Sequence, residues 1–242
     1  MKKPNEITMQ FINACKVNNV EKCNISTSNK KLVGTPQEEI KNNYDISIGF
    51  AIFNLPCRAT CPFATEACKK FCYAGKAETA YPDCKPSRIR NFHETRRDDF
   101  VVRMAYTIVS RYLNMKAKKL VVRIHESGDF YNRAYVKKWL EIIRLVESLG
   151  FTSEQIIFIA YTKSFPFFDG EKLPALLALR ASLDATSPLK MIEIVRRNNW
   201  NVYRVVEKFS DNNNTNNCRC SDCATCGKCW NNAIYGIECE IH

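Results

Sequence analysis

The pattern of apolar and polar positions predicts a chain of alternating strands and helices. The run DISIGFAIFNLP (45–56) is rich in strand-forming residues and is closed by Pro56, so it predicts a first strand. The short apolar runs KLVVRI (119–124) and IIFIAYT (156–162) predict two more buried strands. Because strand–helix alternation is typical of parallel βαβ units, we expect an α/β fold, either a TIM-like barrel or a partial (β/α) barrel.

Helical spacing fills the intervals between these strands. Apolar positions recur near every 3.6 residues from Ser87 to Met115 and predict one long helix. Residues 131–150 predict an amphipathic helix that Gly150 ends. The pattern further along is weaker, and it predicts helices near 171–180 and 187–198 and strands near 181–184 and 201–206.

The domain organisation follows from shifts in composition. Residues 1–45 are polar and rich in Asn and Lys, and they predict a weakly specified N-terminal segment without an assigned function. Residues 46–209 are expected to form the barrel-like domain. The stretch SDNNNTNN has nothing to bury and predicts a polar linker at 210–217, which isolates a Cys-rich metal-binding tail at 218–242.

The thirteen cysteines point to metal because of the expected compartment. The first residues contain no apolar stretch of signal-peptide length, and no run approaches the roughly 18 to 20 apolar residues of a membrane span. We therefore expect a cytoplasmic protein without membrane contact. In a reducing cytosol, dense cysteine favours metal ligation over disulfides.

The first cysteine group follows the first predicted strand. The segment CRATCPFATEACKKFCYAG contains Cys57, Cys61, Cys68 and Cys72. Soft thiolates select zinc, copper(I) or iron–sulfur species, and the spacings differ from the paired short knuckles that zinc prefers. A [4Fe-4S] cluster is therefore favoured. Two arrangements stay open: four thiolates, with Cys84 as a substitute for Cys57, or three thiolates that leave one iron open to a substrate.

Two further loops follow predicted strands and carry reactive side chains. Gly128 lets the backbone approach a ligand closely, and the ammonium of Lys163 can contact an anionic ligand. Active residues of βα folds lie in loops after the carboxyl ends of strands, so these loops are expected to converge with the cysteine loop. We predict His125, Asp129 and Lys163 as catalytic groups, with Gly128 and Asp129 in contact with cofactor or substrate. The alternative is that His125 and Asp129 are only strand-end and helix-cap residues.

The tail contains a second cysteine group with two readings. Successive x2 spacings are typical of part of a ferredoxin run and relate Cys220, Cys223, Cys226 and Cys229. Alternatively, Cys226 and Cys229 pair with Cys239 and His242 as zinc-type knuckles. We expect metal in the tail, with a second iron–sulfur cluster favoured and zinc as the alternative.

The net charge of +11 permits an anionic partner. Five arginines line the predicted long helix: Arg88, Arg90, Arg96, Arg97 and Arg103. Such a set can bind nucleic acid, but neighbouring acidic residues balance it, so nucleic acid is not the favoured partner. Two [4Fe-4S] clusters with four thiolates each would lower the net charge to about +7.

Four motifs together resemble a Cys-rich gene-product family of phages and plasmids. They are the TCP-x-A…C…CYA loop, the RIH-x-SGDF loop, the AYTKS segment at 160–164 and a Cys-rich tail ending in His. The resemblance covers about residues 50–242. It implies a shared cluster-bearing barrel and, for a phage-encoded chain, location in the host cytoplasm.

A cysteine loop ending in Cys-Tyr, a later strand followed by SGDF, and SLDA at 182–185 more distantly resemble radical S-adenosylmethionine enzymes. The resemblance implies that Ser127, Gly128 and Asp129 replace the Gly-Gly-Glu stretch that holds the amino end of that cofactor. It also implies an electron donor. The sequence thus predicts a redox or radical-type iron–sulfur enzyme acting on an unidentified small-molecule or macromolecular substrate. The alternative is a non-catalytic metal-stabilised module that binds nucleic acid or a host protein.

Overall fold

The computed structural model describes residues 2–29, 32–42, 44–209, 216–219 and 222–240. Six strands form one parallel sheet in chain order: β1 (Ile48–Phe53), β2 (Lys119–Ile124), β3 (Ile156–Thr162), β4 (Leu177–Leu183), β5 (Val202–Val206) and β6 (Gly236–Glu240). The mixed α/β architecture is confirmed. In the described ranges β1 and β6 are edges that do not pair with each other, so the sheet is not closed as a TIM barrel would be.

Helices connect these strands in the described ranges: α1 (Glu6–Val17), α2 (Gln37–Ile40), α3 (Glu66–Lys70), α4 (Tyr73–Ala80), α5 (Cys84–Glu94), α6 (Phe100–Asn114), α7 (Arg133–Ser148), α8 (Leu189–Arg197) and α9 (Cys223–Cys226). Short 3-10 helices span Tyr44–Ile46, Phe165–Phe168 and Lys228–Trp230. Within the part of the chain that the structure describes, no helix combines the length and apolarity needed to cross a membrane.

The main core lies between one face of the sheet and the helices α1, α6, α7 and α8. Phe53 of β1, Phe100 of α6 and Trp139 of α7 meet there, and the Trp139 ring packs 5.9 Å from Phe53 and 6.1 Å from Phe100. All three side chains are buried. Burial of such large side chains supplies the driving force that holds the helical layer on the sheet.

The opposite face of the sheet carries a smaller apolar cluster, which we call the inner face. It includes Phe50, Val121, Ile157 and Ile159, and residues 223–230 pack against it. The Trp230 ring meets Phe50 edge-on at 6.1 Å. Part of the predicted tail therefore covers the sheet, and β6 extends it.

Several sequence predictions are confirmed and one helix is corrected. Strands β1, β2, β3 and β5 and helices α7 and α8 lie where the sequence predicts them. The single helix expected from Ser87 to Met115 is instead the pair α5 and α6, with a turn between them. The Thr95 hydroxyl donates to the Phe92 carbonyl at 2.7 Å, and Arg97 pairs with Asp99 at 2.9 Å. These side-chain contacts add to short-range backbone hydrogen bonds, such as that from the Arg97 N–H to the Glu94 carbonyl at 3.1 Å, and together they form the turn.

The expected helix near 171–180 is wrong, and the strand expected near 181–184 is confirmed as the end of a longer strand. Strand β4 begins at Leu177, after a turn in which the Leu177 N–H donates to the Pro174 carbonyl at 3.2 Å. The run LALRASL is buried on both faces apart from one half-buried residue. A strand buried on both faces reads as a continuous apolar run, which cannot be told from a buried helix by periodicity.

Both ends of the chain are more structured than the sequence predicts. Asn5 caps α1 by accepting from the Thr8 N–H at 2.8 Å, and Ile12 and Cys15 are buried in the main core. At the other end, β6 pairs in parallel with β5. Of the predicted linker, residues 210–215 lie outside the described residues.

Candidate metal centre

The loop after β1 places four half-buried thiols at the carboxyl edge of the sheet. Cys57 and Cys61 lie in the loop, Cys68 lies in α3, and Cys72 is the residue before α4. A Cβ built on Gly75 would lie 3.7 Å from the Cys57 Sγ and 3.9 Å from the Cys72 Sγ, so these two thiols face the same glycine. The predicted cysteine loop is thus folded as one compact unit.

The surroundings of Cys61 and Cys68 disfavour their ionised forms. Burial, followed by the charge of Asp129, raises the pKa of Cys61 to about 12. Burial also raises the pKa of Cys68, whereas the charge of Lys163 acts in the opposite direction. The charge of Cys72 also acts on both thiols. A bound cation would stabilise the thiolates in this pocket.

The loop after β2 is attached to the cysteine loop by hydrogen bonds. Asn54, directly after β1, accepts from the backbone N–H groups of Glu126 at 2.8 Å and Ser127 at 3.0 Å. The Ser127 hydroxyl donates to the Leu55 carbonyl at 2.9 Å, and the Leu55 N–H donates to the Ser127 carbonyl at 2.9 Å. The groups of Ser127 that were expected to contact a cofactor therefore join two loops.

Gly128 makes a close approach to the same loop. Its φ of +77° is a conformation that L side chains rarely adopt. A Cβ at this position would lie 2.5 Å from the Thr60 Oγ1 and 2.6 Å from the Leu55 Cβ. The sequence correctly indicates that backbone must come close here, but the partner is the cysteine loop.

The Asp129 carboxylate connects the loops after β2 and β3. Its Oδ1 accepts from the Thr162 hydroxyl at 2.5 Å and from the Phe130 N–H at 2.8 Å. Its Oδ2 accepts from the N–H groups of Lys163 at 3.0 Å and Ser164 at 3.1 Å. Burial raises the pKa of Asp129, and these hydrogen bonds oppose that shift. Protein donors thus occupy about four acceptor positions, the capacity of a carboxylate.

Lys163 forms a buried ion pair with a residue that the sequence prediction did not select. Its Nζ lies 2.7 Å from the Asp184 Oδ2, and only 8% and 6% of the two side chains are exposed. The same Oδ2 accepts from the Thr65 hydroxyl at 2.5 Å, and Thr65 also accepts from the Cys68 N–H at 3.2 Å. The loops after β3 and β4 therefore hold the helix that carries Cys68. The position of Asp184 in SLDA, directly after an apolar run, was the available signal.

His125 lies apart from this network. Its ring packs against Phe130, Tyr135 and Trp139, and its Nε2 is 2.9 Å from the Tyr135 hydroxyl. Burial, followed by the charge of Arg123, lowers the pKa of His125 to about 3. A ring that stays neutral near pH 7 has no proton to spare for general acid catalysis. Its catalytic role stays a prediction against which this environment argues.

Cys57 has an acidic neighbour that its sequence position did not reveal. Its N–H donates to the Glu78 Oε1 at 2.9 Å, and the same oxygen pairs with Arg88 at 3.0 Å. Burial and a hydrogen bond with Glu78 raise the pKa of the Cys57 thiol to about 12. Cys84, the proposed substitute ligand, begins α5.

Several arginines of the predicted basic helix are used inside the protein. Arg88 pairs with Glu78, and Arg103 pairs with Glu94 at 3.0 Å, with 6% of the Arg103 side chain exposed. Arg97 pairs with Asp99 at the surface. The two buried guanidinium groups are not available to phosphates.

An open depression of about 390 Å³ lies over the cysteine loop. Its lining contains the cationic side chains of Arg58, Lys69 and Lys70 and the thiol of Cys61. The other lining residues are Ala64 and Glu66. Cys61 is therefore reachable from solvent through a predominantly positive opening.

The second cysteine group lies on the inner face of the sheet. Cys223 and Cys226 begin and end α9, and Cys229 lies in the following 3-10 helix. Cys239 is buried in β6, where its Sγ donates to the Glu240 carbonyl at 3.4 Å. Cys220 and His242, two further predicted ligands, lie outside the described residues.

The thiols of the described ranges are not arranged around one position for a single metal ion. No three His, Cys, Asp or Glu side chains there are grouped as ligands of one metal ion. Four thiolates on one zinc ion would lie about 3.8 Å apart, since each Zn–S bond is about 2.3 Å. An iron–sulfur cluster binds each thiolate through a different iron and so accepts wider separations.

Comparisons with known proteins place this architecture in a phage family. A family model described as "Gene product 88" matches residues 23–232. The "Gene 88 protein" of Mycobacterium phage L5 is 33% identical over 110 residues, which are 43% of this chain and 43% of that protein. The "Gene 88 protein" of Mycobacterium phage D29 is 35% identical over 91 residues, 35% of this chain and 38% of that protein.

The chain thus covers about two fifths of the length of these relatives. No solved structure matches the chain. The family match includes the cysteine loop and the loops after β2, β3 and β4, so the resemblance to a phage gene-product family is confirmed. The chain belongs to the Gene product 88 family.

Proposed function

We propose that this protein binds a [4Fe-4S] cluster through Cys61, Cys68 and Cys72 and acts as a redox or radical-type enzyme. The observation that carries the proposal is the link from the buried Lys163–Asp184 pair through the Thr65 hydroxyl to Cys68 at the carboxyl edge of a parallel sheet. Cys61 and Cys72 lie in the same cysteine loop. Catalytic groups of βα folds lie at this edge. Three thiolates on a four-iron cluster leave one iron accessible to a substrate or cofactor.

The surroundings of Cys57 favour three ligands over four. The Glu78 carboxylate is fixed by the Cys57 N–H and by Arg88, and it lies within hydrogen-bond reach of the thiol. The Glu78 carboxylate accepts a hydrogen bond from the Cys57 thiol itself, and this favours the protonated thiol over the thiolate that metal ligation requires. Near Cys61, by contrast, the Asp129 carboxylate is already occupied by protein donors. Cys57 is therefore a neighbour of the cluster in this proposal.

The surrounding residues have separate tasks. Lys163 places a cation near Cys68 and offsets thiolate charge, while Asp184 fixes its ammonium at 2.7 Å. Asp129 fixes the backbone of Lys163 through the 3.0 Å hydrogen bond. The positive lining of the depression over Cys61 favours an anionic substrate. A bound cluster supplies one-electron or Lewis-acid chemistry, and such a role requires an electron donor.

The sheet supports a partial (β/α) barrel, because its six parallel strands follow one another in chain order and leave one side open. The resemblance to radical S-adenosylmethionine enzymes assigns an amino-group contact to the Ser127–Asp129 loop. Protein donors already surround the Asp129 carboxylate. The residues present do not fit that contact, and the proposed function does not depend on S-adenosylmethionine.

Anaerobic purification with iron, sulfide and zinc analysis and electron paramagnetic resonance tests the proposal. We expect the Cys61→Ala/Cys68→Ala variant to lose about four iron and four sulfide ions per chain, as for one [4Fe-4S] cluster. Cys57→Ala and Cys84→Ala are matched controls that should retain them. Stoichiometric zinc without iron or sulfide would refute the proposal.

Two further assays separate the classes of function. Cleavage of S-adenosylmethionine after reduction with dithionite would assign a radical-type reaction despite the occupied Asp129. Salt-sensitive binding of nucleic acid by the Cys61→Ala/Cys68→Ala variant would instead support the non-catalytic module, because phosphate contacts weaken with salt.

A further inference from the structure

A compact turn brings three cysteines of the tail together. The Asp222 carboxylate caps α9 by accepting from the Ala224 N–H at 2.9 Å. Gly227 then reverses the chain with a φ of +65°, and its N–H donates to the Cys223 carbonyl at 3.0 Å. Helix α9 and the next 3-10 helix therefore present Cys223, Cys226 and Cys229 within seven residues.

A fourth cysteine reaches this turn from the preceding segment. The Cys218 N–H donates to the Glu238 carbonyl of β6 at 2.6 Å, and Asn217 forms a parallel bridge with the same residue. Burial, followed by the charges of Cys229 and Cys218, raises the pKa of Cys223 to about 11. The charge of Cys226 acts on Cys223 as well. Cys223 and Cys229 both pack against the apolar cluster of the inner face.

One buried arginine fixes this group on the sheet. Arg180 of β4 is fully buried, and its guanidinium donates to four backbone carbonyls of the tail, those of Lys228, Cys229, Asn231 and Ile234. The contact of Trp230 with Phe50 adds an apolar anchor. The position of the turn is therefore determined by the sheet.

The sheet also surrounds the thiols with cations and hydroxyl groups. The Tyr161 hydroxyl is hydrogen-bonded to the Cys229 thiol, and the Arg123 guanidinium lies 3.8 Å from the Tyr161 ring centroid. The charges of Arg123 and Arg180 both act on Cys229. Four thiolates on a 2+ cluster core carry a net charge of about −2, and these two cations oppose it.

We propose that Cys218, Cys223, Cys226 and Cys229 hold a second [4Fe-4S] cluster against the inner face of the sheet. This set differs from the two sets that the sequence suggested: its fourth ligand is Cys218, since Cys220 lies outside the described residues, and it leaves out Cys239. The Cys239 thiol is buried in β6 and already donates to a backbone carbonyl. The proposal does not rest on the cluster at the loop, because the two thiol groups share no ligand.

Metal analysis of full-length protein without the loop thiols tests this site. The background is the Cys61→Ala/Cys68→Ala/Cys72→Ala variant, which should still contain about four iron and four sulfide ions per chain. Adding Cys223→Ser and Cys229→Ser, or Cys218→Ser alone, should abolish or sharply reduce this content. The matched control Cys239→Ser, also in the tail, should retain it.

Other outcomes overturn the assignment. They are zinc without sulfide in the loop-deficient variant, no metal in a variant that is folded by circular dichroism, or equal loss of iron in Cys239→Ser and Cys229→Ser. If serine variants of the tail do not fold, Tyr161→Phe is tested in the variant that lacks the three loop thiols, and it shows whether the remaining cluster lies beside Cys229. Loss of a hydrogen bond to sulfur should shift the midpoint potential of the remaining cluster to a more negative value. An unchanged potential would place that cluster elsewhere.

Discussion

The two cysteine groups are held in place by different means. At the loop, side chains from three neighbouring strand ends support the thiols through Asp129, Lys163 and Asp184. In the tail, one side chain, Arg180, donates to four carbonyls of an irregular segment. The loop is thus fixed by many side-chain contacts, whereas the tail depends on a few anchors and, by our proposal, on metal.

The charge of Arg123 acts on residues beside both cysteine groups. Its guanidinium stacks on Tyr161 beside Cys229, and its charge also acts on Tyr73, which follows Cys72 in the chain. The Tyr73 hydroxyl donates to the Glu126 carbonyl of the loop after β2 at 2.5 Å. The same side of the sheet therefore connects the candidate metal centre with the proposed second site.

The largest expected effect is at Arg180, because its removal leaves several carbonyls without a donor. Arg180→Met should destabilise the protein by about 4 kcal/mol or more, given roughly 1–3 kcal/mol for each buried unsatisfied polar group. Urea unfolding measures the total decrease in the free energy of unfolding. Hydrogen exchange over 222–240 shows whether this decrease arises in the tail. The control Arg197→Met breaks an exposed ion pair with Asp169 and should cost less than about 1 kcal/mol. If hydrogen exchange in the tail is the same in Arg180→Met as in the wild-type protein, the tail does not depend on Arg180 as an anchor.

At the loop, breaking the buried ion pair should have the next largest effect. Asp184→Asn leaves the Lys163 ammonium without its carboxylate and should cost about 3 kcal/mol in chemical denaturation. Asp45→Asn breaks an exposed pair with Lys118 and should cost less than about 1 kcal/mol. Iron at the loop should fall in Asp184→Asn while iron in the tail is retained. Equal loss at both sites would show that the groups are not independently supported.

Gly128→Ala tests the close contact between the loops after β1 and β2. A positive φ costs about 1–2 kcal/mol for an L residue, and overpacking against Leu55 and Thr60 adds about 1 kcal/mol or more. Gly170→Ala is the matched control, since its φ is +83° but nothing lies within 4 Å of its Cβ. Gly170→Ala should lower the free energy of unfolding through backbone strain alone. Thermal unfolding of both variants measures the difference, and equal costs would mean that the contact at Gly128 is easily relieved.

The sequence predicted the parts of the fold that depend on local patterns. Strands β2 and β3 are continuous apolar runs, and α7 is marked at its ends by Asn132 and Gly150. The first half of strand β4 was assigned to a helix, because a run buried on both faces shows no alternation and because the partners of Arg180 are carbonyls more than forty residues away. Such a contact between backbone and a distant side chain has no signature in residue spacing.

In the candidate site too, features set by local sequence were predictable, and features set by contacts between distant loops were not. The position of Cys61, Cys68 and Cys72 in one loop after β1 was predictable because thiols close in sequence are visible as a motif, whereas their role as metal ligands stays a prediction. The roles of Gly128 and Asp129 were not, because a loop that binds a ligand and a loop that binds its neighbour need the same residue types. Asp184 shows its role only once β4 brings it to Lys163.

The smallest expected effect is a pH dependence that belongs to the loop. Burial disfavours the ionised Asp184, but hydrogen bonds from Lys163, Thr65 and Thr186 outweigh it and lower the pKa of Asp184 to about 2. A carboxyl with a depressed pKa in the folded state contributes stability above its unfolded pKa of about 4, and this is lost as pH falls through the folded value. The contribution is roughly 2 kcal/mol.

Urea unfolding between about pH 5 and pH 2 measures this term. The wild-type protein should lose stability over that range more steeply than Asp184→Asn, because asparagine does not titrate. Arg180 keeps its charge throughout this range, so the same acidification leaves its hydrogen bonds to the tail carbonyls intact. Hydrogen exchange of apoprotein removes the acid lability of any cluster from the measurement. As pH falls from about 5 to about 2, exchange corrected for its intrinsic pH dependence should increase at the cysteine loop, whereas at 222–240, which already lacks its metal, it should not change further. Parallel loss of protection in both segments would mean that the loop and the tail unfold as one unit, and the distinction between their supports would not hold.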